Sequence, residues 1–374
     1  MTIYLDYNAT TPIDKQVFEA MLPFLTDSFG NPSNTYNLGT TAKNAVDTGR
    51  KQVADLIQAD ENEVYFTGCG SEANNTVLKG VASTFGNKGK HIISSVIEHP
   101  SVLEPLNFLK SIGFEITLVS VDENGAVNPK EIEEAIKDDT ILVSIMHSNN
   151  EVGTLQPIKE IGAICRERNI LFHSDASQSI GKVNINVADL QVDFLTIAGH
   201  KLYAPKGIGA LYIRNGIAIE PLIHGASQER RQRAGTENVP YIAGLGKASE
   251  LASSFLQDNT LFSLKSYFYK QLTKAFGDKI VLNGDFHNSL PNTLNISFAG
   301  KSGAEILEQI PELCASTGSA CHSGNKTVSP VLKAMGINED IAYGAIRFSI
   351  GRHTTKEELD KAVNYLRNLN EQYY

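Results

Sequence analysis

The chain lacks several features that would place it in a specialised class of proteins. It has no tryptophan, and only four of its 374 residues are cysteines. No stretch approaches the roughly 18 consecutive apolar residues of a membrane-spanning helix. The N-terminus has no basic segment followed by an apolar run, so it does not resemble a signal peptide. We therefore expect a soluble, cytoplasmic protein with no membrane partner.

The cysteines are too few for a disulfide framework, and no two of them form the closely spaced CxxC pair of a metal site. Basic residues are also scarce, because 33 Lys and Arg face 42 Asp and Glu, which gives a formal net charge of −9. Non-specific nucleic-acid binding needs a basic surface, so we expect neither a nucleic-acid partner nor a metal. A few basic side chains can still form a local site for a small anion.

What the chain does have is an alternation of apolar, β-rich segments with amphipathic helical segments. Strands are expected at residues 63–67, 91–96, 115–121, 140–146, 170–174, 194–198 and 209–213. Most of them are separated by helical stretches such as 71–83 and 158–168. Strands joined by helices predict an α/β fold, with a mainly parallel sheet flanked by helices. In such a sheet, ligands bind beyond the carboxyl ends of the strands.

The pattern changes after about residue 251. Helices are expected at 259–277, 303–309 and 355–373, and strands at 293–298 and 345–349. Thr355 followed by Glu358 is a capping box for the last helix. A chain of this length usually forms more than one domain. We predict a large domain of residues 15–255 and a smaller α+β domain of residues 1–14 and 256–374.

Polar side chains follow the expected strands at the points where they end. Lys201, flanked by glycines after strand 194–198, could project its amine into the sheet-end crevice, where desolvation lowers its pKa enough for a Schiff base. Asp175 ends another strand and could pair with a protonated pyridine nitrogen. Gln178 could reach a ring hydroxyl. A solvated loop lysine and a helix-capping aspartate are the alternative interpretations.

Three further strand ends fit an aromatic, phosphorylated cofactor. Gly70 and Ser71 lie in a Gly-rich turn that leads into a helix, where free amides and the helix dipole favour a phosphate; a plain helix cap would look similar. His99 could stack on a ring and move protons, although lone histidines after strands are commonly structural. Asn150 offers an amide group to the ring or the substrate. The convergence of five such clusters indicates one cofactor site.

Two candidates lie in the smaller domain. Cys321 stands among small residues, in GSACHSG, which is typical of an exposed and reactive thiol; the alternative is a tolerated loop cysteine. Arg347 lies inside an apolar strand and needs a partner. That partner is either a substrate carboxylate bound by its planar fork or an acidic side chain of the chain itself.

The chain as a whole resembles the cysteine desulfurases, which belong to the class V aminotransferase group of fold-type I pyridoxal-phosphate enzymes. Nine ordered motifs carry the resemblance: LDYNATTP (5–12), GNPSNTY (30–36), EH (98–99), NNEVG (149–153), HSDASQ (173–178), GHKLYAPKGIGALYIR (199–214), RAGTEN (233–238), GSACHSG (318–324) and IRFSIGR (346–352). They span nearly the full chain.

The resemblance implies a role for each candidate residue. Lys201 is similar to the Schiff-base lysine, Asp175 to the pyridinium partner and His99 to the stacking residue, while Gln178 and Asn150 resemble ring-side contacts. The phosphate ligands are implied to be Ser71, His200 and, from a neighbouring subunit of a homodimer, Thr236. Arg347 resembles the arginine that binds the substrate carboxylate. Cys321 resembles the cysteine that accepts sulfur as a persulfide and passes it to an acceptor or scaffold protein.

Some residues depart from the desulfurase pattern. Ala198 stands where a serine usually supplies a phosphate hydroxyl. DYNATTP, Tyr36 and the His322-Ser323 pair are also similar to the selenocysteine lyase branch, so selenocysteine stays open as the substrate beside cysteine. An aminotransferase or β-lyase would need Lys201 but not Cys321. A non-catalytic protein on the same fold is a further alternative, against which the presence of Lys201, Asp175 and His99 argues.

Overall fold

The computed structural model describes residues 2–317 and 328–371. The strands in these residues are β1 (Ile3–Tyr4), β2 (Val64–Thr67), β3 (His91–Ser95), β4 (Glu115–Val119), β5 (Thr140–Ser144), β6 (Leu171–Asp175), β7 (Phe194–Ala198), β8 (Gly209–Ile213), β9 (Ile280–Asn283), β10 (Thr293–Phe298), β11 (Leu313–Cys314) and β12 (Ala345–Ser349). The helices are α1 (Lys15–Thr26), α2 (Asn37–Ile57), α3 (Gly70–Phe85), α4 (Pro100–Ser111), α5 (Pro129–Ala135), α6 (Ile158–Glu167), α7 (Val187–Leu190), α8 (Val239–Phe255), α9 (Thr260–Phe276), α10 (Gly303–Glu308), α11 (Pro330–Ala334), α12 (Glu339–Ala342) and α13 (Lys356–Glu371).

Seven of these strands form one large sheet in the order β2-β8-β7-β6-β5-β3-β4. All neighbours pair in parallel except β8, which is antiparallel to both β2 and β7. Strands β3, β5, β7 and β8 are buried along their whole length, as expected for a sheet covered on both faces. The predicted α/β architecture with a mainly parallel sheet is confirmed.

Helices cover the two faces of this sheet with separate apolar cores. Val143 of β5 packs in one core with helices α1, α2, α6 and α8. The residue just before it in the strand, Leu142, packs in the other core with α3 and α4. Successive side chains of a strand point to opposite faces, so a run of apolar residues serves both cores at once. The sequence pattern of continuous apolar strands follows from this arrangement.

The last third of the chain forms an antiparallel sheet in the order β12-β10-β9. Strands β10 and β12 have the predicted bounds, and the capping box is present, with a bond from the Thr355 amide to Glu358 of 2.9 Å and one from the Glu358 amide to the Thr355 hydroxyl of 3.2 Å. The edge strand β9 was not predicted. Its burial is only partial, so it lacks the apolar alternation that reveals a strand.

The first residues of the chain pack with the last third. Strand β1 pairs in parallel with β11, and Ile3 and Leu5 share a core with residues of α9, β10, β12 and α13. The cores around the large sheet contain only residues between 17 and 252. This separation supports the proposed division into residues 15–255 and residues 1–14 with 256–374. A further small core joins the two parts, through residues such as Met146 and Leu332.

None of the helices in the described residues has the length and apolar character needed to cross a membrane.

Candidate functional site

The carboxyl ends of five strands meet at one edge of the large sheet. Thr67 of β2 and Ala198 of β7 both pair with Gly209, the first residue of the antiparallel strand between them. Strands β3, β5 and β6 run in the same direction as β7. The polar clusters predicted at strand ends therefore lie along one crevice, as the parallel topology requires.

Lys201 lies in a short 3₁₀ turn, Gly199–Lys201, that follows β7 directly. Its Nζ donates hydrogen bonds to the backbone carbonyls of Asn8 and, at 2.8 Å, Ala9. Burial, and then the charge of Arg347, lowers the pKa of Lys201 to about 8, although Asp6 and Asp175 oppose this. A larger share of neutral amine is therefore present near neutral pH than for an exposed lysine.

Asp175 ends the neighbouring strand β6 and is 7% exposed. Its carboxylate accepts hydrogen bonds from Asn74 Nδ2 at 2.7 Å and from the amide of Ser177 at 2.9 Å. No Lys, Arg or His in the described part of the chain forms a salt bridge with it. A buried carboxylate usually has a cationic partner, so Asp175 is suited to a protonated group of a bound molecule.

Helix α3 begins at this edge, with Cys69 as its N-cap and Gly70 as its first residue. A Cβ at Gly70 would stand 3.1 Å from Ser177 Oγ and 3.2 Å from Ala198 Cβ, which is tighter than ordinary packing. Glycine therefore lets the start of the helix approach the ends of β6 and β7. Ser71 follows and is exposed. Backbone amides at such a helix start favour an anion.

Two histidines lie beside the crevice. His99 is the exposed N-cap of α4, and its Nδ1 accepts a hydrogen bond from the amide of Ser101 at 3.1 Å. A neutral ring therefore has its proton on Nε2. Burial lowers the pKa of His99. Burial, followed by the nearby Lys201, lowers the pKa of His200 to about 4, and its Nδ1 is 3.2 Å from the hydroxyl of Thr10.

Asn8 connects the two sides of the crevice. Its carbonyl accepts hydrogen bonds from Lys201 Nζ and, at 3.0 Å, from Gln178 Nε2. Its side chain donates to Thr293 Oγ1 at 2.8 Å, and its amide donates to Ser349 Oγ at 2.9 Å. The N-terminal segment thus joins the Lys201 turn to the small antiparallel sheet.

Arg347 of β12 is buried and forms the internal ion pair that the sequence left open. Its Nη2 is 2.6 Å from Asp6 Oδ1, and its Nη1 donates to the backbone carbonyl of Asn150 at 3.0 Å. The Nε atom of Arg347 is buried without a hydrogen-bond partner among the described residues. The guanidinium therefore keeps free donors for a second carboxylate. The Asn150 contact uses the backbone and not the amide side chain that the sequence suggested.

Among the described residues, Thr236 is not brought into contact with this group. Thr236 is exposed, between the turn Gln228–Arg231 and helix α8. The preceding Arg233 pairs with Glu72 in the first turn of α3, with Nε 3.0 Å from Oε1. Cys321 lies outside the described residues.

Comparison with known proteins identifies the family. The model of the aminotransferase class-V family matches residues 3–362. A cysteine desulfurase IscS of Dictyoglomus turgidum is 47% identical over 371 residues, which cover 98% of this chain and 94% of that protein. A cysteine desulfurase IscS of Methanosarcina thermophila is 48% identical, with 96% of this chain and 90% of that protein covered. The chain belongs to the cysteine desulfurase family of class V aminotransferases.

Solved structures agree with this assignment. A NifS-like protein superposes with a TM-score of 0.93 and 37% identity, covering 99% of this chain and all of that one. A structure of SspA in complex with cysteine gives a TM-score of 0.84 and 38% identity over 95% of this chain and all of that one. Cysteine desulfurases and the other class V aminotransferases are pyridoxal-phosphate enzymes.

The structure adds desulfurase-site residues that sequence reasoning missed. Asn74 holds Asp175, Asp6 pairs with Arg347, and Asn8 contacts Lys201. All three stand inside or beside motifs that were recognised, but their roles depend on contacts across 101 to 341 residues. Lys182 lies in none of the nine motifs.

Proposed function

We propose that the protein is a pyridoxal 5'-phosphate-dependent cysteine desulfurase, which converts L-cysteine to L-alanine and transfers the sulfur through Cys321 to an acceptor. The observation that carries the proposal is the presence, at adjacent strand ends, of a lysine of lowered pKa and a buried carboxylate that forms no salt bridge within the described residues. The relatives compared are named cysteine desulfurases, and the SspA structure is of a complex with cysteine.

The residues at the crevice fit this cofactor. Asp175 would pair with the protonated ring nitrogen, Lys201 would bind the cofactor covalently, and His99 would lie against the ring. Ser71 and the amides at the start of α3, where Gly70 leaves room, would hold the phosphate together with His200. When bound, pyridoxal phosphate supplies an electron sink that stabilises a carbanion at the substrate Cα. Gln178 offers an amide donor to the ring oxygen.

The substrate would be oriented by Arg347. Its free N–H groups would donate hydrogen bonds to a second carboxylate beside Asp6. The Lys201 amine would remove the Cα proton, for which a pKa near the working pH is suitable. Asn150 lies beside this carboxylate site, because its backbone carbonyl accepts a hydrogen bond from Arg347. Arg347, on the small-sheet side of the crevice, is thus assigned to orient the substrate. Lys201, on the large-sheet side, is assigned to remove the Cα proton.

Cys321 would then take the sulfur. Its thiolate forms a bond to the substrate sulfur while the Cβ–S bond breaks, and the electron pair of that bond stays with the three-carbon fragment. The fragment takes up one proton at Cβ, regains at Cα the proton that Lys201 removed, and leaves as alanine, and Cys321 holds a persulfide. An acceptor or scaffold protein, as used in iron–sulfur cluster assembly, would receive the sulfur. The cytoplasm is the proposed compartment, because thiols stay reduced there.

The test is a product balance with the purified protein. L-cysteine and a thiol reductant should give alanine and sulfide in equal amounts, with a visible absorption band from bound cofactor. Pyruvate and ammonia in place of alanine would indicate a β-lyase and contradict the proposal. The names of the relatives favour cysteine over selenocysteine as the substrate, and parallel assays with both amino acids compare them directly.

Arg347→Ala is expected to weaken the binding of cysteine far more than the binding of the cofactor. Loss of a charged, desolvated carboxylate partner typically costs about 2–5 kcal/mol. The measurements are KM for cysteine and cofactor content by absorbance. Because the substitution leaves the half-buried Asp6 without its partner, the double variant Asp6→Asn/Arg347→Ala is the control for misfolding. Equal affinity of the wild type for cysteine and cysteamine would count against a carboxylate site at Arg347.

A homodimer is also proposed, because one face of α1 leaves a row of apolar side chains exposed. Val17 and Met21 of α1 are buried against α8, where Gly244 faces Met21. Exposed apolar residues on the neighbouring face of α1 are Phe18, Leu22 and Leu25, and Phe29 follows just beyond the helix. Contiguous apolar patches of this kind mark protein contacts. Thr236 lies just before helix α8, which packs against α1. An interface formed through α1 therefore supports a contribution of Thr236 to the phosphate site of the other subunit. At that site Ala198 offers no hydroxyl.

Phe18→Asp is expected to dissociate the dimer. A charge placed in an apolar interface costs about 2 kcal/mol or more, which is roughly thirtyfold in the dissociation constant. Phe108→Asp is a matched control, because Phe108 is 49% exposed and Phe18 is 50% exposed, and Phe108 lies on α4. Sedimentation equilibrium measures both variants. A wild type that sediments as a fully active monomer would refute the dimer.

A further inference from the structure

The proposed mechanism leaves one lysine at the crevice without a role. Lys182 lies in the segment that follows β6, four residues beyond Gln178 and directly after Gly181, whose φ is +67°. Its Nζ donates to Gln178 Oε1 at 3.2 Å and makes a longer contact of 3.4 Å with Asn8 Oδ1. Both acceptors are neutral amide oxygens. In the part of the chain that the structure describes, no carboxylate forms a salt bridge with Lys182.

The charges around Lys182 are positive. Burial, followed by the charges of Lys201, Arg347 and Arg352, lowers the pKa of Lys182 well below its usual range. Lys182, Lys201 and Arg352 line the same cavity of about 20 Å³, which is closed by apolar and tyrosine side chains. A buried amine without a carboxylate is unfavourable for stability. A requirement other than stability therefore explains a lysine at this position.

The contacts of Lys182 fix the orientation of Gln178. The amine of Lys182 donates to the amide oxygen of Gln178, so the NH₂ group of Gln178 faces the other way. That NH₂ group donates to the carbonyl of Asn8 at 3.0 Å. The same carbonyl accepts the hydrogen bond from Lys201 Nζ. Lys182, Gln178, Asn8 and Lys201 thus form one connected set of hydrogen bonds.

We propose that Lys182 is a positioning residue that acts on Lys201 through Gln178 and Asn8, and that it keeps the NH₂ group of Gln178 directed into the crevice. This inference rests on the proposed function, in which Lys201 binds the cofactor. With the amide held in this orientation, Gln178 can donate to the ring oxygen, and its bond to the Asn8 carbonyl competes with the bond from Lys201. A lysine that only tethered its own segment would produce neither effect.

Lys182→Met should raise the pH at which the visible band of the holoenzyme titrates by about one unit. A freed Gln178 amide can turn its NH₂ group away from Asn8, which leaves the Asn8 carbonyl as a stronger acceptor for a protonated Lys201. The other charged or titratable groups that face Lys201 are Arg347, Asp6, Asp175, His99 and His200, and none is changed. Tyr7 and Tyr203 line the cavity, but burial raises the pKa of each, so both stay neutral in the range of the titration.

Lys265→Met is the matched control. Lys265 is a buried lysine of helix α9. Its Nζ donates to Phe286 O, Ser289 Oγ and Leu290 O at 2.7–3.1 Å. Its loss should lower thermal stability and leave the titration of the band unchanged. If Lys182→Met does not fold, Lys182→Gln carries the same expectation of an upward shift.

A second measurement separates this inference from the cofactor assignment. In cofactor-free protein, the pH dependence of acetylation of Lys201, followed by mass spectrometry of its peptide, should shift upward in Lys182→Met. An unshifted titration in both experiments, with the wild type showing a normal visible band, would overturn the role of Lys182. A wild type without any visible band would overturn the proposed function instead, and the acetylation experiment would still decide the effect of Lys182 on Lys201.

Discussion

Lys201→Ala is expected to reduce the formation of alanine from cysteine below about a thousandth of the wild-type rate and to remove the visible absorption of the lysine-bound cofactor. The variant loses two proposed functions at once, because the same amine is proposed to bind the cofactor and to remove the Cα proton. The side chain also donates to the carbonyls of Asn8 and Ala9, so some loosening of the N-terminal segment is expected. Absorbance spectra and alanine assays measure both effects.

Lys206→Ala is the control for Lys201→Ala. Lys206 stands five residues further along the chain, is exposed, and has no role in the proposed mechanism. Its replacement should preserve the spectrum and the turnover. Should the Lys201 variant keep both the absorption band and normal activity, the cofactor assignment would be wrong.

Cys321→Ser is expected to lower the rate of cysteine desulfuration at least about a thousandfold while the cofactor content stays at the wild-type level. A cysteine thiol is a poor leaving group unless a nucleophile takes the sulfur, and serine is not ionised near neutral pH. Selenium leaves more readily, so turnover of selenocysteine should fall less. Mass spectrometry of the wild type after incubation with cysteine should find one additional sulfur on the peptide that contains Cys321.

The other cysteines are the controls for this experiment. Burial raises the pKa of Cys165 to about 12, so it forms little thiolate. The Sγ atom of Cys69 accepts a hydrogen bond from the amide of Glu72 at the start of α3, and Cys314 lies in the short strand β11. Replacement of any of the three by serine should leave persulfide formation intact. A persulfide found on one of them, with full activity in Cys321→Ser, would favour a β-lyase.

The sequence was sufficient to predict the large sheet because its strands are apolar on both faces. Strands such as β5 and β7 stand out as short apolar runs between helices, and the parallel topology then places their carboxyl ends together. The positions of Lys201 and Asp175 on one crevice follow from this rule alone. The edge strand β9 has only four residues, of which Val281 is exposed and Asn283 is polar, so its apolar run is too short to indicate a strand.

The partners of the site residues could not be predicted in the same way. Arg347 was expected to need an anion, and the sequence could not decide between a substrate and the protein itself. The structure shows Asp6, 341 residues away, as its partner. Nothing in the local pattern around Asn8 indicates that its carbonyl meets Lys201, because this contact depends on how the N-terminal segment crosses the crevice. Local patterns locate strand ends, whereas these contacts depend on the packing of the whole chain.

The position of the N-terminal segment has a consequence for synthesis of the protein on the ribosome. Asp6 and Asn8 leave the ribosome early, but their partners Arg347 and Ser349 follow 341 residues later. At elongation rates of about 5–20 residues per second, this interval lasts on the order of tens of seconds. The large sheet can fold within that time, whereas the N-terminal segment must wait for β12. Closure of the crevice is therefore one of the last steps of folding during synthesis. A nascent chain stalled before residue 345 would contain Lys201 without the contacts that complete the crevice.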